Sequence, residues 1–140
     1  MLTAADKIRR YCEYQDRSEQ EVRRKMVQLL VPEDERDNLM QQLVEEKFVD
    51  DERFTESFIR GKINQKRWGR IKIRTELQLH GIPTSLFEEK MAEADAKQYM
   101  ENLRYLADKW KRVNPLGERA MMIRHLLTKG YTMDEINNIK

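Results

Sequence analysis

The stretch Arg70-Ile71-Lys72-Ile73-Arg74-Thr75-Glu76-Leu77-Gln78-Leu79 decides the fold class, because two periodicities compete for it. Ile71, Ile73, Leu77 and Leu79 alternate with polar residues, as in a half-buried strand. A strand needs a neighbour to receive its backbone donors and acceptors, and no other segment of the chain offers one. The segment therefore reads as a helix, and the whole chain as all-α. Behind it, Gly81 supplies a left-handed C-cap and Ile82-Pro83 marks a turn, since proline pushes the preceding residue out of the helical region. His80 stands where a helix C-terminus favours a basic side chain.

Outward from that segment the helical spacing is plain. Upstream, Ala4, Ala5, Ile8, Tyr11 and Cys12 share one side of a first helix. Ser18 and Glu21 form a capping-box pattern that opens a second, with Val22, Met26, Leu29 and Leu30 on its face and Val31-Pro32 as its stop. A third stripe carries Leu39, Met40, Leu43 and Val44. Asp50 or Asp51 is a natural N-cap for a helix bearing Phe54, Phe58, Ile59 and Ile63, which Trp68-Gly69 breaks. Downstream, Leu86, Phe87 and Met91 make a short helix. Tyr99, Leu103, Leu106, Trp110 and Val113 make a long one, interrupted at Asn114-Pro115-Leu116-Gly117. Met121, Met122, Leu126 and Leu127 follow, stopped at Gly130, and Thr132 caps a last turn through Ile136 and Ile139.

The helices also recur as groups. Val22, Met26 and Val31-Pro32 lie 51 positions before Ile73, Leu77 and Ile82-Pro83, while Leu77 and Gly81-Ile82 lie 49 before Leu126 and Gly130-Tyr131. Tandem three-helix repeats over residues 1–48, 49–92 and 93–140, stacked into an elongated, curved array, fit this period. No single repeat buries enough surface alone, so neighbours are expected to pack on one another.

Composition agrees. The 140 residues are 39% hydrophobic and 37% charged, with only 5 Gly and 3 Pro, which favours many thin amphipathic helices over a turn-rich β-fold. Cys12 is the single cysteine, so an intrachain disulfide and a cysteine-built zinc site are excluded, and it reads as a packing residue. No apolar run reaches membrane-spanning length, and a cytoplasmic monomer is the expectation.

The net charge of +2 conceals a strong polarity. From Glu33 to Glu52 there are nine acidic residues and only two basic ones, Arg36 and Lys47. From Arg60 to Arg74 there are seven basic residues, Arg60, Lys62, Lys66, Arg67, Arg70, Lys72 and Arg74, and no acidic one. That cluster straddles the break at Trp68-Gly69 and is the main candidate for contact with phosphates or partner carboxylates. A solvated face, or pairing with the acidic block, is the plainer alternative. Trp68 is a candidate for stacking on a base, and packing between modules is the preferred reading. Arg17, Arg23, Arg24 and Lys25 form a second basic group, and Lys109, Lys111, Arg112, Arg119, Arg124 and Lys129 a third; stacked in register, the three would line a positive track. His80 and His125 lack metal-spaced partners, and Asp50-Asp51-Glu52 reads as a helix cap rather than a cation site. Nothing here points to an enzyme, a cofactor or a metal.

Three segments carry a resemblance. Arg17-Ser18-Glu19-Gln20-Glu21-Val22-Arg23-Arg24-Lys25-Met26 resembles the first repeat of the RecX family. Phe48-Val49-Asp50-Asp51-Glu52-Arg53-Phe54, continuing through Ser57 to Lys62, resembles that family's most distinctive run. Gly69 to Arg74, with Glu76-Leu77 and Gly81-Ile82, resembles its second-repeat helix and stop. The third repeat keeps the hydrophobic spacing and little else of the pattern. The resemblance implies tandem three-helix repeats and no cofactor. It further implies binding to RecA filaments on single-stranded DNA, and modulation, most often inhibition, of recombinase and coprotease activity in DNA repair and the SOS response. DNA binding by the chain itself is implied as well. A sequence-independent nucleic-acid-binding repeat protein and a helical protein-interaction adaptor are the alternatives that the basic cluster and the apolar grooves allow.

Overall fold

The structure, a computed structural model, describes residues 1–139; the third expected unit runs to Lys140, which lies outside them. The described residues form nine α-helices and no strand: α1 (Ala4–Tyr14), α2 (Glu19–Gln28), α3 (Glu33–Glu45), α4 (Asp51–Gly61), α5 (Arg70–Leu79), α6 (Thr84–Ala92), α7 (Ala96–Val113), α8 (Arg119–Thr128) and α9 (Met133–Asn138). A π-turn (Lys62–Lys66) prolongs α4. The fold is all-α and built of repeated three-helix units. The contested segment is α5, with Ile73 and Leu77 buried but Ile71 and Leu79 exposed. Positions two apart on a helix lie about 200° apart, so those four residues cannot share a face. Val44, Val113, Met121 and Leu127, grouped by sequence with core neighbours, are likewise exposed.

Each middle helix stops in the same way. The N–H groups of Val31, Ile82 and Tyr131 donate to the carbonyls of Met26, Leu77 and Leu126, at 2.9, 3.0 and 3.3 Å. The residues before them, Leu30, Gly81 and Gly130, donate to Val27, Gln78 and Leu127 and take φ of 61, 78 and 101°. This is the Schellman stop, in which a left-handed residue turns the chain and the next residue folds back onto the helix. The offsets of 51 and 49 residues are its spacing. Leu30 therefore belongs to the stop and not to the apolar face of α2: it is 86% exposed, swung outward by its left-handed backbone.

The helix starts are more varied. Ser18 and Glu21 close the expected capping box on α2, and Asp50 accepts the Arg53 N–H at the start of α4. Asp51 instead turns to the neighbouring unit and accepts the Glu19 N–H at 2.9 Å, so adjacent aspartates serve two helix starts. Burial pushes the Asp51 carboxyl above the usual carboxylate range. α5 has no side-chain cap at all. Its first amides are closed by the third unit: Gly69 N–H donates to Lys129 O at 2.7 Å, Ile71 N–H to Gly130 O at 2.9 Å, and Arg70 N–H to Tyr99 Oη at 2.9 Å. A Cβ on Gly69 would lie 2.2 Å from the Gly130 carbonyl carbon, so the two backbones touch. At the other end of α5, Gly81 abuts Gln20, and His80 Nδ1 lies 3.6 Å from Glu21 Oε1. The helices α8, α5 and α2 thus meet C-terminus to N-terminus in succession, bringing opposite ends of the helix macrodipole together.

The core is divided unevenly. Ile8, Cys12, Val22, Met26, Met40 and Leu43 lie in a cluster belonging to the first unit, where burial raises the Cys12 thiol above its ordinary value. The second and third units share one continuous cluster that includes Ile59, Ile73, Leu77, Phe87, Leu103 and Leu126. Contacts between the first unit and the second include polar ones, with Asp16 accepting from Arg53 Nε at 2.9 Å and from Ser57 Oγ at 2.7 Å.

The chain after α4 does not simply break at Trp68-Gly69. It widens into the π-turn, and Arg67 takes a left-handed conformation with φ 54°. The third unit holds this shape. Buried Asn102 donates through Nδ2 to Ile63 O at 2.8 Å, and Tyr131 Oη donates to Arg67 O at 2.9 Å. Tyr99 Oη donates to Glu135 Oε1 at 3.1 Å while receiving the Arg70 N–H. Burial pushes both tyrosine hydroxyls far above their ordinary value, so they stay protonated donors across the physiological range.

Three substitutions separate these effects. Gly130→Ala, with a Cβ 2.6 Å from Lys72 Cβ and a left-handed backbone, should lower stability by about 2 kcal/mol or more. Gly61→Ala, with open space around it, should raise stability by about 0.5–1 kcal/mol; urea-unfolding midpoints measure both. Asn102→Leu should cost about 1–3 kcal/mol by stranding the Ile63 carbonyl. In that variant, amide exchange should accelerate first around Lys66 to Trp68; protection unchanged there would show that Asn102 does not hold the turn.

Candidate functional site

The π-turn, the left-handed Arg67 and the start of α5 bring Lys62, Lys72 and Trp68 together at one corner and set Arg67 over Tyr105. Arg60 instead lines the cavity beside Glu56 and Lys90, and Arg74 lies about 200° around α5 from Lys72. Trp68 packs on the core shared by the second and third units while remaining partly exposed. Lys62 Nζ lies 4.6 Å and Lys72 Nζ 4.5 Å from its ring, so two ammonium groups sit on one indole. Lys62 also lies 5.1 Å from the Phe58 ring, and the Arg67 guanidinium covers Tyr105 at 3.9 Å. A nucleobase stacking on Trp68 would have to displace a lysine, so the structure favours the packing reading of this residue.

Among the described residues, Arg60, Lys62, Lys66, Arg67, Lys72 and Arg74 reach no carboxylate within ion-pair distance. Arg70 differs: it pairs with Glu88 at 2.8 Å. Arg23 is likewise engaged, with Asp37 at 2.9 Å and Glu19 at 3.2 Å, whereas Lys25 lies over Tyr11 and Arg24 is exposed. Arg17 stacks on Tyr11 at 3.8 Å and bonds the Tyr11 carbonyl. Among the described residues no hydrogen bond, ion pair or cation–ring contact joins Arg23, Arg24 or Lys25 to the Trp68 corner. The acidic block is drawn elsewhere: Arg9 takes Glu46 at 3.0 Å and Arg23 takes Asp37. Apart from Arg70, the basic cluster is thus left without ion-pair partners among the described residues.

The sequence alone does not single out Tyr105 or Asn102. Asn102 carries a signal, a polar residue one position before core Leu103 on the stripe of α7; Tyr105 carries none. A cavity of about 450 Å³ between α4 and α6 holds Lys90 paired to Glu56 at 2.8 Å above Ile59 and Ile63, a closed ion pair. Among the described residues no cluster of three His, Cys, Asp or Glu side chains could hold a metal ion. The Trp68 corner has the chemistry of a contact for anions, with a salt-sensitive attraction to phosphates or carboxylates.

Comparison with known proteins identifies the lineage. The family model for RecX, second three-helix domain, matches residues 50–91, the unit that carries the corner. The regulatory protein RecX of Clostridium tetani is 36% identical over 109 residues, covering 69% of this chain and 47% of that protein. That of Salmonella paratyphi A is 32% identical over an alignment of 148 residues, covering 96% of this chain and 87% of that protein. The chain spans about half the length of the clostridial and Geobacillus relatives it matches. The crystal structure of RecX from Lactobacillus salivarius superposes with a TM-score of 0.87 at 25% identity, covering 96% of this chain and 90% of that one. With its repeated three-helix units, its basic corner in the matched second unit and a relative aligned over nearly its whole length, the chain belongs to the RecX family.

Proposed function

We propose that the chain is a non-enzymatic regulator that binds the RecA filament on single-stranded DNA and modulates, chiefly by inhibition, its recombinase and coprotease activity. One observation carries this reading. The family-matched unit presents Lys62 and Lys72 on the Trp68 ring with Arg67 next to it in the chain, all three without carboxylate partners and on a costly backbone shape held by the neighbouring unit. Left-handed Arg67 and the π-turn are the kind of strained geometry that persists where it is used. A RecA–DNA filament offers both phosphates and protein carboxylates to such a corner. In this proposal the protein acts in the cytoplasm as a monomer, and Arg60, Lys62, Lys66, Arg67, Lys72 and Arg74 make the first contacts. Arg24 and Lys25 extend them, while Arg23 and Arg70 orient the surface through their ion pairs.

A second reading follows from the same lysines: binding of single- or double-stranded DNA without RecA. It predicts affinity that falls steeply with salt. For single strands, each substitution that removes one phosphate-binding cation should flatten the logarithmic salt slope by about 0.7.

The deciding experiment is RecA's single-stranded-DNA-dependent ATP hydrolysis, titrated with this protein while DNA is held in large excess. Hydrolysis should fall at amounts well below RecA, and Lys62→Glu with Lys72→Glu should raise the amount required about tenfold, equivalent to about 1.4 kcal/mol. Unchanged hydrolysis at saturating protein removes the proposal, and salt-dependent binding to DNA alone would then favour the second reading.

A further inference from the structure

A second tryptophan sits in a different setting. Helices α7 and α8 leave between them a hollow of about 340 Å³, floored by Leu106, Trp110 and Val113 and rimmed by Lys109, His125 and Lys129. A second hollow of about 320 Å³ shares Trp110 and His125 and continues to Met121 and Arg124. Trp110 is seated against Gly117, where a Cβ would come within 2.4 Å of its ring. Val113 is 70% and Met121 53% exposed, so apolar residues that helical spacing assigned to the core lie open along this groove.

Its electrostatics are one-sided. No carboxylate lines either hollow. Among the described residues, Lys109, Arg124 and Lys129 form no ion pair. Burial first, then Lys129 and Lys109, push the His125 imidazole below its ordinary value.

We propose that this groove is the docking site for an acidic amphipathic helix of a partner protein. A helix laid along it would put apolar residues at i, i+3, i+4 and i+7 against Leu106, Trp110, Val113 and Met121. Its carboxylates would face Lys109, Arg124 and Lys129, a complementarity that sets orientation and speeds encounter. Nucleic acid fits less well. Most of the floor is aliphatic, whereas bases seek aromatic faces and phosphates gain nothing from Leu106 or Val113. The side chains lining the groove are distinct from those of the Trp68 corner, which meets Lys129 through its backbone carbonyl, so this inference stands apart from the proposed action on RecA.

The test uses the full chain and a fluorescein-labelled synthetic peptide of roughly 18 residues, five helical turns, with leucine at i, i+3, i+4 and i+7 and mostly glutamate elsewhere. A scrambled peptide of equal composition is the control, and fluorescence anisotropy reads binding. The amphipathic peptide should bind saturably and the scrambled one at least about tenfold more weakly. Lys109→Glu with Lys129→Glu should abolish binding, while Lys62→Glu with Lys72→Glu should change it less than about twofold. Val113→Asp provides a second groove variant should the double reversal lose helicity by circular dichroism. Absent binding, equal binding of the scrambled peptide, or loss of binding only with the Lys62 and Lys72 reversals would each overturn the proposal. So would an unlabelled single-stranded oligonucleotide whose own binding is abolished by the Lys109 and Lys129 reversals, since the groove would then be a nucleic-acid site.

Discussion

No side chain of its own unit closes the first amides of α5; the Lys129 and Gly130 carbonyls just after α8, and the Tyr99 hydroxyl, do so across the boundary between the second and third units. Gly69 and Gly130 make this possible, because the two backbones come closer than any Cβ would permit. Much else follows from that contact. It sets Tyr99 where its hydroxyl can take the Arg70 amide, and Tyr131 where it can reach the Arg67 carbonyl. Those two bonds, with the one from Asn102, hold the π-turn and hence the arrangement of Lys62, Lys72 and Trp68. The basic corner of one unit is therefore shaped by the backbone of the next.

The sequence made the helices, their stops and their repetition legible, because each depends on local chemistry. The Ser18–Glu21 box and the two glycine stops are written in single residues, and the α4 cap was narrowed to Asp50 or Asp51, of which the structure takes Asp50. The stop of α2 was marked by Val31-Pro32, but the left-handed turn at Leu30 was hidden, since leucine is a poor marker for such a turn and its apolar side chain mimicked a core position. The π-turn was hidden too. Lys62 to Lys66 has no feature that distinguishes a π-turn from an α-turn, and the Asn102 side chain that bonds the Ile63 carbonyl within it lies some forty residues away in sequence. The basic run was visible as charge, but its residues divide only in three dimensions. Glu88 takes Arg70, Asp37 and Glu19 take Arg23, and the others are left without a counter-charge.

The two tryptophans mark two kinds of basic surface. At the Trp68 corner, lysines lie over the aromatic ring and cover it, leaving a cationic skin. At Trp110 the cations stand on the rim and the apolar floor stays open. Similar charge thus presents two different faces, one suited to attraction at a distance and one to burial of an apolar stripe.

The separate cores of the first unit and of the other two give the chain unequal cooperativity. Six helices around one apolar cluster should open and close together, whereas the first three have a centre of their own, with ion pairs and cap bonds among the contacts tying them to the rest. A partner bound at the Trp68 corner would stabilise the unit that contains it through mass action. That gain is shared by the third unit, which supplies the hydrogen bonds behind the corner, and reaches the first only as far as the link through Asp16, Arg53, Asp51 and Glu19 is stiff. Occupancy of one surface can therefore quieten two thirds of the molecule while the remaining third keeps its own local unfolding equilibrium.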